Sequence, residues 1–320
     1  MNVVNVVPMP PTSPPPSADF PHASVLTQET LAALDPRPGR VFVDATLGAG
    51  GHSEALLAEF GTRVIGIDRD PSALALASER LARFGDRFSA VRGTFGEIQS
   101  VLASVGLRHV DGVLADIGVS SMQLDRPERG MSFRHEGPLD MRMDPSSGET
   151  ARDLIERLDD DELANVIYRY GDERRSRRVA RCIKQALAAD ELATTLDLRR
   201  AVVRAVGPAR VGGVDPATRT FQALRIAVNG ELDQLGSLLA AAPDVVAPGG
   251  VLAVISFHST EDRLVKRAFA DREVWAPLTK KPVVASDAET SENPRSRSAK
   301  LRAARRTESR DPFDGGDEAS

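Results

Sequence analysis

Residues 44–53 read Asp-Ala-Thr-Leu-Gly-Ala-Gly-Gly-His-Ser (DATLGAGGHS) and follow directly on the apolar run Val41-Phe42-Val43. A β-branched run that ends in an acid and breaks into glycines predicts a buried strand, a tight turn and a helix N-terminus. This is how an α/β sheet holds a nucleotide-like ligand. The pattern repeats outward. Strand-like Arg40–Thr46, Arg63–Asp68, Phe88–Arg92 and Val110–Ile117 alternate with helix-like Ser53–Phe60, Pro71–Phe84 and Phe95–Val105. Such alternation predicts an α/β fold with a doubly wound parallel sheet covered on both faces. Pro71 suits the first position of a helix, with Asp70 as its N-cap.

The bulk composition fits one large domain with an insertion: 320 residues, 41% hydrophobic, 27% charged, net charge −5. The acidic balance argues against a uniformly basic nucleic-acid binder, but two segments run the other way. Residues 169–184 (RYGDERRSRRVARCIK) carry seven basic and two acidic side chains, and residues 295–306 (RSRSAKLRAARR) six basic and no acidic ones. Taken alone, either run reads first as a solvated helix or tail. The acidic cluster Asp159-Asp160-Asp161-Glu162 suits a helix start, where carboxylates face the positive end of the dipole. A single cysteine, Cys182, leaves no disulfide framework and fits a reducing cytoplasm. The N-terminal stretch has no charged start and its apolar residues are broken by prolines, so neither a signal peptide nor a membrane span is expected. Residues 1–20 read as a disordered Pro-rich tail.

After Ile117 the rhythm changes. Residues 120–144 (SSMQLDRPERGMSFRHEGPLDMRMD) form a long methionine-containing loop of the kind that covers a site, and Thr150 to Val206 is helical throughout. The expected organisation is a discontinuous α/β domain, 21–134 and 216–320, interrupted by a helical substrate-recognition insertion at 135–215. Pro216–Ala242 reads as one long amphipathic helix, PGGVLAVISFHS from Pro248 as a turn and buried strand, and 285–294 as a flexible loop.

The glycines Gly48, Gly50 and Gly51 make a poor dinucleotide fingerprint, because the third spaced glycine is missing. S-adenosylmethionine has no pyrophosphate; its methionine tail needs close backbone approach, which glycines at this turn provide. Asp68, ending the second strand 24 residues after Asp44, is placed to accept both ribose hydroxyls, and Phe95 to pack on adenine. Singly, Asp68 also reads as a helix cap and Phe95 as a core aromatic; together they sit at successive strand ends facing one crevice. Asp116 in LADIGVSS, with Ser120 and Ser121 beyond it, ends the fourth strand. An acceptor there orients an exocyclic amine for attack on a methyl group, although Asp116 could equally cap the following turn. Ring-carbon methylation needs a cysteine nucleophile, and Cys182 lies in a helical segment away from the strand ends. The five histidines show no ligand spacing, so no metal is expected.

These stretches resemble the MraW/RsmH methyltransferases, through HASVLTQET, DATLGAGGHS, GIDRDP, RGTF, DIGVSSMQLDRPERGMSFRHEGPLDMRMD, YGDERRSRRVARCI, PATRTFQALRIAVNGEL, PGGVLAVISFHSTEDRLVK and NPRSRSAKLRAARR, spanning about residues 22–306. The resemblance implies a class I methyltransferase sheet with an inserted helical domain. It also implies S-adenosylmethionine as cofactor and methylation of a cytosine N4 amine in 16S rRNA, at the decoding region, on free rRNA or the assembled small subunit. Carried over by position, the cofactor contacts are Gly50, Gly51, His52, Asp68, Phe95, Asp116 and Gln123. Asp116, Ser120, Ser121 and His258 are the candidate catalytic residues, with Ser256, His258 and Ser259 expected to line the pocket. Met122 stands where relatives commonly have proline, and Thr260 where they commonly have leucine; neither change removes a polar ligand group. The basic segments then read as rRNA contacts, oligomeric state stays open, and no membrane partner is expected. The rival readings are an NAD-dependent oxidoreductase and a ribosome-assembly factor that keeps the cofactor only as a structural ligand.

Overall fold

The computed structural model describes residues 24–208 and 214–308; the expected Pro-rich tail and His22 lie outside them. Eight strands form one sheet among the described residues: β1 (Val41–Asp44), β2 (Arg63–Asp68), β3 (Phe88–Arg92), β4 (Val110–Asp116), β5 (Val246–Ser256), β6 (Trp275–Pro277), β7 (Val283–Val284) and β8 (Lys300–Arg306). Their order is β3-β2-β1-β4-β5-β8-β6, with β7 also on β8; β1 to β5 pair in parallel, and β8 runs antiparallel to β5, β6 and β7. The order reverses between β1 and β4, the position where open α/β sheets hold ligands.

Period-two alternation builds both faces of the sheet. Val43, Ile65, Val113, Ala115, Leu252 and Val254 point into one core; Phe42, Val64, Leu114, Val251, Ala253 and Ile255 point into the other. Helices α1 (Thr27–Leu34), α2 (Gly51–Phe60) and α3 (Pro71–Leu81) cover the second face, and α4 (Ile98–Ser104) helps cover the first. Asp70 caps α3 as its sequence implied, its carboxylate accepting from the Ser72 amide at 3.0 Å ahead of Pro71.

Beyond β4, a short helix α5 (Ser121–Asp125) leads to irregular chain and then to α6 (Ala151–Arg157), α7 (Asp160–Gly171), α8 (Ser176–Ala188) and α9 (Thr195–Val206). These helices enclose their own core, to which the preceding loop contributes Met131, Leu139, Met141 and Met143. The loop methionines are therefore packing residues. The acidic run caps α7: the Asp159 side chain accepts from the Glu162 amide at 2.8 Å.

Two expectations from sequence give way here. Pro216–Ala242 is not one helix but α10 (Thr218–Asn229) and α11 (Glu231–Val245), broken at Gly230, whose φ of +61° is costly for any residue with a Cβ. Helix α10 buries Phe221 and Leu224 in the helical core, whereas α11 buries Leu235, Leu238 and Leu239 under the sheet. After α12 (Ser259–Ala268), residues 285–294 are not a bare loop. They contain α13 (Asp287–Glu292), whose Glu289 accepts from the Leu26 amide at 2.7 Å. Among the described residues, no helix is long and apolar enough to cross a membrane.

The break between α10 and α11 is held by Arg225 and Glu231, a two-pronged ion pair of 2.7 and 3.0 Å in which Glu231 is 2% exposed. Removing one partner strands the other charge in the interior. Arg225→Met is expected to lower unfolding free energy by about 3–5 kcal/mol, read by urea denaturation; a loss near the surface-pair range of about 0–1 kcal/mol would show that the pair clamps nothing.

Candidate functional site

The acids Asp44, Asp68 and Asp116 end β1, β2 and β4 side by side. The turn after β1 is sewn to both neighbours. The Leu47 amide donates to the Ile67 carbonyl at 2.9 Å, the Gly48 amide to Asp68 Oδ2 at 2.8 Å, and the Asp116 amide to Thr46 Oγ1 at 2.6 Å. This path demands left-handed backbone at Gly48 (φ +52°) and Gly50 (φ +79°), and a Cβ on Gly51 would strike Ser24 Oγ. Glycine is therefore required by geometry at a turn that opens at the N-terminus of α2.

An open crevice enclosing about 1250 Å³ of atom-free space, its solvent mouth included, runs over these strand ends. Gly48, Gly51, His52, Asp68, Phe95, Asp116, Ser120 and Gln123 all border it; Gly50 lies behind, packed on Leu81 and Ala77. Of the residues expected from the last parallel strand, none lines it. Phe257 does so instead, with a Cβ at Gly118 only 3.5 Å from its ring. Ser256 is 1% exposed and bonds the Lys300 carbonyl, His258 caps α12 with its Nε2 2.9 Å from Glu261 Oε1, and Ser259 donates to Asp172. The physical reason is strand alternation: Phe257 follows Ile255 on one face of the strand and reaches the crevice, while Ser256 turns the other way onto β8 and His258 turns into the α12 cap. His258 is thus removed from the candidate catalytic set by its position. The side chain of Ser121 lies outside the described ones.

Electrostatics separates the three acids. Burial pushes Asp44 up against the opposing effects of His52, the Ser53 hydroxyl at 2.7 Å and the Thr46 amide. Burial also pushes Asp68 up, to about 6, although the Asp70 and Gly48 amides bond its two oxygens. Two lone-pair positions remain on that carboxylate, which suits a vicinal diol. For His52, burial disfavours the charged ring, yet the Asp116 carboxylate 3.5 Å from its Nε2, with Asp44 and Glu289 beyond, raises its pKa overall. His52 Nε2 and Asp116 Oδ1 are both buried without a hydrogen-bond partner, as expected of groups shaped for a ligand. Among the described residues, no group of three or more His, Cys, Asp or Glu side chains is arranged to hold a metal ion.

Gln123 does two jobs. Its carbonyl accepts from the Ser120 amide at 3.1 Å, closing the capping box of α5, and its amide donates to Asp70 at 3.1 Å. Asp70 also receives Arg129 Nη1 at 2.9 Å. Sequence reading assigns Asp70 only a capping role and overlooks Arg129 entirely; the closely spaced acids in GIDRDP are the available signal. The basic segment 295–306 is not a free tail. Arg302 pairs with Asp262, Arg305 and Arg306 bond backbone carbonyls, and Arg295 pairs with Asp125, because 300–306 is a strand within the sheet. The other basic segment differs: Arg174, Arg175, Arg177, Arg178 and Arg181 are exposed on the turn before α8 and along it.

A raised carboxyl makes binding of a diol donor dependent on pH. A folded-state value of about 6 against roughly 3.9 unfolded means the unliganded fold loses stability as pH rises between these values. Ligand hydroxyls favour the ionised form, so affinity should rise over the same range. Calorimetric titration with S-adenosylmethionine is expected to show binding weakening by up to about tenfold per unit below pH 6, with proton release there; a flat profile from pH 5 to 8 would remove Asp68 from ligand recognition.

A model of the MraW methylase family matches residues 19–307. The chain is 72% identical over 308 residues to a protein of Sorangium cellulosum named ribosomal RNA small subunit methyltransferase H, covering 96% of this chain and 98% of that one. Proteins of the same name from Picosynechococcus and Anaeromyxobacter are 51% and 49% identical, over 89% and 90% of this chain and 97% and 98% of theirs. With the glycine turn, the ribose-type acid and the class I strand order in place, the chain belongs to the MraW methylase family and is an S-adenosylmethionine-dependent methyltransferase.

Proposed function

We propose that this enzyme methylates the exocyclic N4 amine of a cytosine in 16S rRNA, at the decoding region, in the cytoplasm. The observation that carries this reading is the position of Asp116: a carboxylate at the end of β4, in the crevice, with one oxygen 3.5 Å from His52 and the other without a partner. When bound, S-adenosylmethionine supplies a methyl group activated by the sulfonium. The chain's task is to hold an acceptor nitrogen in line with that group.

A cytosine amine is a poor nucleophile, because its lone pair is delocalised into the ring. Asp116 accepts a hydrogen bond from the N–H₂ group, which orients the nitrogen and stabilises the positive charge that grows on it during attack. The His52 ring faces the other carboxylate oxygen and fixes the rotamer. Ser120 Oγ caps α5 by accepting from the Gln123 amide at 3.3 Å, so its role is to shape the turn rather than to move a proton. With the cofactor bound, the methyl would pass from its sulfur to the amine nitrogen held by Asp116, and the amine's excess proton would pass to water. Gly51 and His52 would frame the methionine end, with Gly50 behind them giving the turn its path, while Asp68 would hold the ribose and Phe95 the adenine. Phe257, packed on the Gly118 turn, offers an apolar wall to a base drawn out of its stack.

Substrate RNA would lie along α8. Asp172, just before this helix, accepts from Ser259 at 3.3 Å, so the exposed arginines begin next to the end of β5 and the mouth of the crevice. Guanidinium groups there suit phosphates of a single-stranded loop.

Two outcomes test this. Asp116→Ala is expected to cut transfer of labelled methyl to small-subunit rRNA by about 10²–10³-fold, with the S-adenosylmethionine site still filled. Unchanged methylation would point instead to an assembly factor that carries the cofactor for structural reasons. Replacing Arg177, Arg178 and Arg181 by Ala together is expected to weaken rRNA binding and flatten its logarithmic salt dependence by about 2 (roughly 0.7 for each single-strand phosphate no longer neutralised), as measured by filter binding across salt. An unchanged slope would place the RNA elsewhere.

A further inference from the structure

The chain between α5 and α6 crosses from the crevice into the helical core, and its central residue is strained. Met141 has φ +62° and is fully buried. A non-glycine residue in this region is strained and persists only where its surroundings over-determine it. Here they do, from two sides. From α10, Asn229 Nδ2 donates to the Met141 carbonyl at 2.8 Å while its Oδ1 accepts from the Met143 amide at 2.7 Å. From the chain just before, the Met141 amide donates to the Arg129 carbonyl at 3.1 Å, and Arg129 Nη2 donates to the carbonyls of Arg142 and Met143 at 3.1 and 2.6 Å.

Arg129 carries this arrangement to the cofactor side. Its Nη1 meets Asp70 at 2.9 Å, with both side chains nearly buried. That one carboxylate also holds Gln123 of α5 and the first turn of α3, and the Asp70 amide bonds Asp68. Asp70 is therefore a hub that touches the ribose acid, the helix behind the Asp116 turn and, through Arg129, the strained loop. The loop returns to the crevice at Met143, which lines it. Its far end is anchored as well: Arg92, ending β3, pairs with Asp144 at 2.8 Å, and bonds from Ser146 and Arg92 overcome burial to hold that acid down to about 2.

We infer that Arg129 and Asn229 are positioning residues for methyl transfer: they hold the Met141–Met143 segment so that Met143 stands as a rigid wall of the crevice, set in place relative to the cofactor's ribose through Asp70. Neither residue touches the reacting atoms. The inference rests on the methyltransferase reading above but not on which base is methylated. A guanidinium is needed because three acceptors lie on one planar fork; a lysine ammonium keeps the charge opposite Asp70 and gives up the two carbonyls. An asparagine is needed because both a donor and an acceptor must reach one strand of backbone.

The test uses the full chain and measures three quantities separately: affinity for S-adenosylmethionine by calorimetry, affinity for small-subunit rRNA by filter binding, and the single-turnover rate with both saturating. For Arg129→Lys and Asn229→Ala we expect cofactor affinity within about threefold of wild type and a single-turnover rate lower by about 10²-fold, the cost of a small misplacement remote from the chemistry. Asn229→Asp, which keeps the acceptor but turns a buried carboxylate oxygen toward the Met141 and Arg225 carbonyls, should be at least as slow. The Asn229 side chain bonds only backbone groups, those of Met141, Met143 and Arg225, and not Asp70, so its variants keep the idea falsifiable if Arg129→Lys does not fold. A folded Asn229→Ala enzyme with a rate within threefold of wild type would overturn the inference; so would a rate loss matched by an equal loss of cofactor affinity, the mark of a general structural role. Rates are compared at whichever nucleotide the wild type methylates. Failure of the cytosine reading would therefore appear in the wild-type product map, and failure of this inference in the ratio of rates.

Discussion

A parallel sheet gathers the carboxyl ends of its strands on one edge, and in this chain three neighbouring strands end in aspartate. Two of the three, Asp68 and Asp116, border the crevice and Asp44 is buried beneath it; such neighbouring carboxylates repel one another, and burial makes each charge more costly. Their environments are accordingly pulled apart. Asp44 is enclosed with a serine hydroxyl and pushed up by burial, Asp68 is held by two amides and sits near 6, and Asp116 stands beside a histidine whose own pKa it raises. The glycine turn works within the same constraint. Its Gly48 amide neutralises part of the Asp68 charge while its glycine backbone leaves the crevice open above, so one turn both shapes the opening and makes the acid beside it tolerable.

Much of this is legible in the sequence because it depends on local rules. The strand–helix alternation, the cap at Asp70 and the glycine positions follow from period, capping chemistry and left-handed backbone, and each is decided within a few residues. The class I fold follows from them. Where sequence misleads, the deciding partner lies far away in the chain. The polar residues Ser256, His258 and Ser259 look like pocket residues, but the antiparallel strand from Lys300 and the cap of α12 absorb them and leave Phe257 facing the crevice. The arginines of 295–306 look like an RNA-binding tail, yet the pairing of β8 with β5 gives them partners inside the fold. A long amphipathic pattern hides the break at Gly230, since both halves bury the same kind of face against different cores.

The helical insertion raises a further physical question, which is how a separate core stays in register with a catalytic edge that needs sub-ångström placement. Apolar packing is poorly suited to this, because a greasy interface tolerates sliding. The connection is instead polar and nearly dry: Asp70–Arg129 on one side of the loop, Asn229 on the other, Arg225–Glu231 at the break between α10 and α11.

Buried ion pairs of this kind contribute little net stability, because desolvation offsets most of the attraction. What they add is directional geometry, since a fork of N–H groups is satisfied in one orientation and left unpaired in any other. Strain at Met141 has the same implication. A conformation that costs energy is retained only if the neighbours that impose it serve something beyond folding. In this molecule those neighbours are also the groups that connect Asp68, the turn after Asp116 and Met143 at the edge of the crevice. The helical core is thereby joined to the crevice through the loop that ends at Met143.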